Sequence, residues 1–162
     1  MLSERVFQVL TVSATLGAGL AAGVFFAFSS FVMAGLARLP PAQGIAAMQA
    51  INLTAVTPLF MTVLFGTALA CAGVAVHSIL TWNQNGSVLL VAAAALYIVG
   101  IIVVTIVFNV PLNDALAAVS PDSQEGADLW IRYLASWNAW NHVRTLAGLA
   151  ALGAFVMSLR VP

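Results

Sequence analysis

Residues 88–110 read VLLVAAAALYIVGIIVVTIVFNV and decide the fold of the chain. The run carries no charged side chain, and as a helix rising 1.5 Å per residue it is long enough to cross a hydrocarbon core of about 30 Å. Its apolar residues follow one another without the alternation of a transmembrane strand. The run therefore predicts a membrane-spanning helix.

The chain as a whole is also rich in hydrophobic residues and poor in charged ones. Of its 162 residues 62% are hydrophobic and 6% are charged, whereas soluble domains carry about 25% charged residues. No charged residue lies between Arg38 and Asp114. Ten charged side chains, five of each sign, cannot cover a water-facing surface, so a soluble globular protein is excluded. The net charge of zero also argues against nucleic acid as a partner, because phosphate binding needs a basic excess.

The apolar segments predict how the domain is organised. We expect one all-α integral membrane domain over residues 1–162, folded as a transmembrane four-helix bundle. The expected spans are residues 6–36, 57–80, 88–110 and 138–159. Pro40 and Pro41 end the first span, residues 81–87 form a turn, and Pro111 closes the third span.

The two ends of the chain add two expectations. The last helix is expected to begin near Ser123 or Gln124 and to run to Leu159. A cleaved signal peptide is disfavoured at the N-terminus. The first apolar run is longer than the roughly 7–15 apolar residues of such a peptide, and no basic segment precedes it.

Polar side chains gather at one end of this predicted bundle. With four spans, both termini and the turn at 81–87 lie on one side of the membrane. The opposite end receives Arg38, Gln49, Asn52, Asn109, Asn113, Asp114, Arg132, Asn138, Asn141, His142 and Arg144. Polar residues kept at membrane depth are functional candidates, so this end is the predicted site.

The last helix carries much of that polar end. Trp130, Tyr133, Trp137, Asn141 and Arg144 follow one another at steps of three, four, four and three residues, which places them on one helical stripe. Trp140 lies beside this stripe. A second stripe next to it holds Asn138, His142 and Thr145. An aromatic belt at the membrane interface is another explanation for the rings, but it explains His142 and Arg144 less well.

Two asparagines flank Pro111. Asn109 and Asn113 either satisfy backbone groups that the proline leaves free or face the same pocket as Asn141 and His142. Both interpretations remain open from the sequence.

His142 is the one metal candidate in the polar cluster. The positions three and four residues away hold Asn138, Ala139, Thr145 and Leu146, and none of these is a strong ligand. His77 lies at the other end of the bundle, so a two-histidine site within one chain is disfavoured. A single axial histidine remains open, and a general base is chemically simpler, because imidazole is the side chain most often used for proton transfer near neutral pH.

Four segments together carry a family resemblance. They are GLAAGVFFAFS with the following Val32, Met33 and Leu36, the stretch from Gly44 to Asn52, NVPLN at 109–113, and WNAWNHVRT at 137–145. The pattern resembles the anthrone oxygenase-like family of small integral membrane proteins over about residues 10–155. Ala34-Gly35 departs from it, since many relatives have a proline after the methionine.

The resemblance implies a four-helix membrane protein. Some fungal and bacterial relatives are implicated in oxidising anthrones to anthraquinones with O2 and without a conventional cofactor, whereas most bacterial members have no assigned reaction. The matching positions here are Asn52, Asn109, Asn113, Trp137, Asn141, His142 and Arg144.

We therefore expect an O2-dependent membrane oxidoreductase acting on a flat polycyclic or quinol-like lipophilic substrate. The expected catalytic residues are His142 as the base, with Arg144 and Asn141 stabilising an enolate. The expected substrate-binding residues are Asn52, Asn109, Asn113, Trp137, Trp140 and Tyr133. The resemblance implies no cofactor, and a metal or haem bound by His142 is the alternative.

Other function classes stay open. The chain is alternatively a binding protein for a lipophilic ligand, haem or metal without turnover, or a small transporter or accessory subunit. The expected partners are membrane lipids, a lipophilic aromatic molecule and, as an open case, further copies of the chain. We expect a multi-pass protein, in the cell membrane if the source is bacterial, with cytoplasmic termini. The positive-inside count is nearly balanced, with Arg5 and Arg160 against Arg38 and Arg132.

Overall fold

Five helices form the structure, which is a computed structural model describing residues 2–82 and 86–160. They are α1 (Glu4–Leu36), α2 (Pro41–Ala55), α3 (Pro58–Leu80), α4 (Ser87–Ala117) and α5 (Gln124–Ser158). The described residues contain no strand. The predicted all-α fold is therefore confirmed.

Local sequence explains where these helices begin. The Ser3 hydroxyl accepts a hydrogen bond from the Val6 amide at the start of α1, and Thr57 does the same for the Phe60 amide before α3. Ser123 caps α5 by accepting from the Gly126 amide at 2.9 Å. Such caps satisfy amides that have no partner within the helix. The predicted start of the last helix at Ser123 or Gln124 is confirmed.

The turn between α3 and α4 is described only in part. Residues 83–85 of the predicted turn at 81–87 lie outside the described residues, as do positions 1, 161 and 162 of the predicted domain. Gly86 has a φ of 84°. This left-handed conformation suits a glycine, which has no Cβ to oppose it.

Four of the helices pack in a ring. Helix α1 lies between α3 and α5, and α4 closes the ring between the same two neighbours. The short helix α2 packs against α5 and the C-terminal end of α4. Helices α1, α3 and α4 are long and apolar enough to cross a membrane. The fold is thus a transmembrane four-helix bundle, in which α5 is the most polar of the four long helices.

Two of these helices contain π-helical turns. Phe28–Val32 forms one within α1, and Ile98–Val103 and Thr105–Asn109 form two within α4. Pro111 follows the last of these, and α4 continues to Ala117. The helix therefore extends beyond Pro111, where the third membrane span was predicted to end. A proline lacks the amide that a regular turn needs, and the wide turn ahead of it rearranges the hydrogen bonds so that the helix continues.

The side chains pack into two separate cores. The first, at the termini side, includes Ala14, Ala18, Cys71, Val74, Tyr97 and Phe155. The second, which we call the site-side core, consists of Met33, Ile45, Met48, Leu116, Trp130, Tyr133 and Trp137. The space where the two cores meet is the location of the candidate site.

Helices α1 and α5 approach closely at Gly148. A Cβ atom added there would lie 2.9 Å from the Ala22 Cβ and 3.1 Å from the Ile101 Cδ1. Small residues let backbones approach in this way when helices pack in lipid. At Gly153, farther along α5, an added Cβ would meet nothing within 4 Å.

Candidate functional site

The aromatic and polar stripe of α5 faces the interior of the bundle. Trp130, Tyr133, Trp137, Asn141 and Arg144 are all buried. The prediction that they share one helical face is confirmed. Because that face is turned inward, an aromatic belt directed at the lipid headgroups does not account for it.

Arg144 is the only charged residue among these five, and it is 5% exposed. Its Nη1 donates to the Thr105 Oγ1 at 3.3 Å, and its Nη2 donates to the Asn141 Oδ1 at 2.8 Å. The guanidinium carbon lies 4.3 Å from the centre of the Phe25 ring and 5.0 Å from that of Trp137. The Nε is buried and has no hydrogen-bond partner among the described residues.

Asn141 fixes the position of this guanidinium. Its Nδ2 donates to the Phe25 carbonyl and to the Ser29 Oγ, both at 2.8 Å. Ser29 lies in the π-helical turn of α1 and also contacts the Thr145 hydroxyl at 3.0 Å. Because its NH2 group bonds to α1 and its oxygen accepts from Arg144, the Asn141 side chain connects α1 to the guanidinium.

Asn113 holds two buried aromatic side chains. Its Oδ1 accepts hydrogen bonds from the Tyr133 hydroxyl and from the Trp137 Nε1, each at 2.8 Å. These bonds join the C-terminal part of α4 to α5. They fix the Trp137 indole beside the guanidinium of Arg144.

Asn109 has a mainly structural position. It is buried, and its Nδ2 donates to the Trp137 carbonyl at 3.2 Å. Asn109 therefore satisfies a backbone group, which agrees with the first of the two interpretations. The carbonyl that it satisfies belongs to α5, however, and not to the turn of α4 before Pro111. Its Oδ1 has no partner among the described residues.

A cavity of about 240 Å³ lies where the two cores meet. Its polar lining comes from Asn52, Thr105, Asn113 and Arg144, with the Trp137 indole beside them. The remaining lining is apolar and consists of Val24, Phe25, Phe28, Met48, Ile51, Ala55, Val56, Phe60, Met61, Leu64, Phe65, Ile106 and Val110. A mainly apolar pocket with a few polar groups is typical of a site for a small lipophilic molecule. We call this space the central cavity.

A second, more open cavity of about 680 Å³ adjoins the central cavity between α2 and α4. Asn52, Val56, Val110 and Asn113 line both spaces. Asp114 lines the second cavity but not the central cavity. The two asparagines thus stand at the boundary between the apolar interior and a polar groove at the end of the bundle.

His142 lies outside this site. It is exposed on the outer face of α5 and does not line the central cavity. The prediction that its imidazole faces the same pocket as Asn141 is wrong. Successive residues of a helix are rotated by about 100°, so the residue after Asn141 points away while Arg144 returns to the inner face.

Trp140 is also outside the central cavity. It is half-buried and stacks on Phe108, with ring centres 3.6 Å apart and planes inclined by 7°. Tyr133 does not line the cavity directly but reaches it through Asn113. Of the predicted substrate-binding residues, the structure brings Asn52, Asn113 and Trp137 to the cavity wall.

The sequence reasoning missed three residues of the site. Phe25 and Thr105 contact the guanidinium of Arg144, and Ser29 holds Asn141. Phe25 and Ser29 lay within the quoted GLAAGVFFAFS segment, so a signal existed for them. Thr105 is a single hydroxyl in an apolar run, and only its spacing of four residues from Asn109 pointed to it.

The alternative of a metal bound by His142 requires further ligands, and the described part of the chain offers no such set. No group of three His, Cys, Asp or Glu residues that could hold a metal ion occurs there. His77 lies on α3 and packs against Phe7, with ring centres 4.2 Å apart and planes inclined by 33°.

The fold and the site together define a small membrane-type helical bundle with a buried arginine at the wall of an apolar cavity. A protein-family model described as anthrone oxygenase matches residues 51–154. The chain belongs to this family. The match includes Asn52, Asn113, Trp137 and Arg144 but leaves Phe25 and Ser29 of α1 outside. No curated protein and no solved structure matches the chain.

Proposed function

We propose that the chain is an integral membrane oxygenase that uses O2 to oxidise a flat, lipophilic aromatic substrate of the anthrone type in the central cavity. The observation that carries this proposal is the placement of one buried guanidinium, two amides and an indole around an otherwise apolar space. Family membership supports the same reaction class.

The proposed reaction balances without a further reactant. The methylene carbon opposite the carbonyl of an anthrone loses two hydrogen atoms and gains one oxygen atom from O2 as a new carbonyl. The other oxygen atom leaves as water together with those two hydrogens. The substrate carbon is oxidised by four electrons, and O2 accepts all four.

The lining of the cavity suits these steps. Phe25, Phe28 and Trp137 offer ring surfaces to a flat polycyclic molecule. The apolar walls exclude water from a reactive carbanion or enolate, which otherwise would be reprotonated. Asn52 and Asn113 stand where a carbonyl or hydroxyl group of the substrate would pass from the polar groove into the cavity.

Oxygen uptake by the purified protein with anthrone tests this proposal. We expect acceleration over the spontaneous oxidation, with one molecule of O2 consumed per anthraquinone formed and one atom of isotopically heavy O2 in the product. Arg144→Met should lower the rate by about a hundredfold, the usual effect of removing an oxyanion-stabilising group. Arg132→Met is the matched control, because Arg132 is exposed on the same helix, and its rate should equal that of the wild type.

Two results would contradict the proposal. One is a wild-type rate no higher than that of protein-free micelles. The other is equal rates for Arg144→Met and the wild type. Tight binding of anthraquinone without any oxygen uptake would instead favour the second candidate, a lipophilic-ligand binding protein. That candidate is favoured by one observation, namely that no His, Asp or Glu side chain lines the central cavity among the described residues.

A further inference from the structure

We propose that the central cavity binds its ligand as an oxyanion, a phenolate or enolate, and that the guanidinium of Arg144 receives the charged oxygen. This inference rests on the proposed function for the aromatic nature of the ligand. It adds the ionisation state of that ligand and the side chain that selects it.

The first argument is an uncompensated charge. Arg144 is buried, and its hydrogen-bond partners among the described residues, Thr105 and Asn141, are both neutral. No acidic side chain of the described residues lines the cavity. An isolated charge in an apolar interior is strongly unfavourable unless an opposite charge accompanies it. A ligand that carries a negative oxygen supplies the missing charge.

The second argument is a free hydrogen-bond donor. A guanidinium has five N–H donors and no acceptor. Nη1 and Nη2 each use one of their two N–H groups, and the buried Nε has no partner in the described part of the chain, so three of the five donors remain free there. The rings of Phe25 and Trp137 attract the positive charge, but they provide no oxygen or nitrogen acceptor. The side chain lines the cavity, so a ligand oxygen placed there can accept from an N–H group of the guanidinium that is still free.

Asn109 is the competing acceptor. Its buried Oδ1 also lacks a partner among the described residues, and a water molecule could join it to Arg144. An amide oxygen is neutral, however, and therefore leaves the charge of the guanidinium uncompensated. Only an anionic ligand satisfies both the free donor and the charge.

The third argument concerns proton removal. Arg144 is the only ionisable side chain among the residues that line the cavity, and a guanidinium does not serve as a base at neutral pH. The site therefore favours the ionised ligand by binding it, and the proton leaves to water. This is the form of an anthrone that reacts with O2 in the proposed function, because the electron pair freed by the proton is the one that forms the new carbon–oxygen bond.

A binding measurement tests the inference without any turnover. The probe is 2-hydroxyanthraquinone, whose ionisation changes its visible absorption and which is already a quinone. We expect its pKa to be lower in the presence of the wild-type protein than in protein-free micelles, by about one unit or more for tenfold tighter binding of the anion. Binding of 2-methoxyanthraquinone, which cannot ionise, should not change with pH over the same range.

Variants assign the effect to one residue. Arg144→Met should abolish the lowering of the ligand pKa, and Arg132→Met should preserve it. Arg144→Lys keeps a positive charge but loses the planar set of guanidinium N–H donors, and an intermediate effect is expected. If Arg144→Met fails to fold, the comparison of the hydroxy and methoxy ligands on the wild type decides the question alone.

The outcomes separate this inference from the proposed function. An unchanged ligand pKa with both anthraquinones bound would overturn the anion proposal and leave the proposed function standing. A lowered ligand pKa without oxygen uptake on anthrone would support the anion proposal and contradict the proposed function. Binding of neither anthraquinone would overturn both.

Discussion

The hydrogen bonds of Asn113 show how single residues shape the cavity wall. Its Oδ1 accepts from both the Tyr133 hydroxyl and the Trp137 Nε1, so one amide holds two large side chains. Asn113→Ala should destabilise the protein by about 1–3 kcal/mol, because it leaves buried donors without an acceptor. Unfolding in detergent, followed by circular dichroism, measures this loss.

A double-mutant cycle identifies the cause of that loss. Tyr133→Phe removes one of the two donors, so its effect and that of Asn113→Ala should not add. The double variant is expected to be more stable than the sum of the single effects predicts. Simple additivity would show that the two side chains do not interact.

For His142 we predict that substitution has little effect. Its side chain is exposed, although its two neighbours on the inner face, Asn141 and Arg144, are buried. His142→Ala should therefore retain anthrone oxidation close to the wild-type rate, measured by oxygen uptake. Loss of activity on this substitution, with the fold intact, would restore the general-base role expected from the sequence and would displace the reaction from the central cavity.

These residues also mark how far the sequence predicts the site. Regular spacing predicted that Trp130 through Arg144 share a stripe, because the helical period fixes relative direction. It did not fix which stripe faces inward, and so His142 was grouped with Asn141. Thr105 and Phe25 were missed because their role depends on contact between helices distant in sequence.

At the scale of elements, Gly148 sets the distance between α1 and α5. An added methyl group there would meet the Ala22 Cβ at 2.9 Å. Gly148→Ala should lower stability by about 1–3 kcal/mol, the usual effect of overpacking. Thermal unfolding in detergent checks the prediction.

Gly153 on the same helix is the matched control. Because an added Cβ there meets nothing within 4 Å, Gly153→Ala should leave stability unchanged or raise it by about 0.5–1 kcal/mol through the better helix propensity of alanine. Equal effects of the two substitutions would contradict the close α1–α5 packing.

The π-helical turns are elements that the sequence did not predict. Ser29 lies in one of them, and Thr105 and Asn109 lie in another. Such turns concentrate at functional sites, and here they place site residues on the inner faces of α1 and α4. Hydrophobic runs reveal where a helix lies but not where its hydrogen bonds shift by one residue, so the continuation of α4 beyond Pro111 could not be predicted from the sequence.

At the scale of the whole molecule, apolar composition predicted the bundle well. Three of its helices are long and apolar enough to cross a membrane, and the most polar of the four, α5, completes the ring by packing on α1 and α4. The central cavity was not predictable, since residues of all five helices line it or its rim. A cavity depends on how helices tilt and pack, and no local pattern encodes that.

Three helices are long and apolar enough to cross a membrane, and we propose that α5 crosses as well, so that both termini lie on one side, the cytoplasm. In a Cys71→Ser background, Ser3→Cys and Arg160→Cys should be labelled from the cytoplasmic side by an impermeant thiol reagent. Ser120→Cys, in the connection between α4 and α5, should be labelled from the other side. Labelling of Ser3→Cys and Arg160→Cys from opposite sides would contradict a membrane crossing by α5.

The most direct test of the central claim fills the central cavity without touching its polar groups. Ala55 and its neighbour Thr54 are both exposed, but only Ala55 lines the cavity. Anthrone oxidation should be lost in Ala55→Phe and retained in Thr54→Phe, with both variants folded by circular dichroism. Equal, wild-type rates of O2-dependent anthraquinone formation in the two variants would show that the reaction does not occur in this cavity.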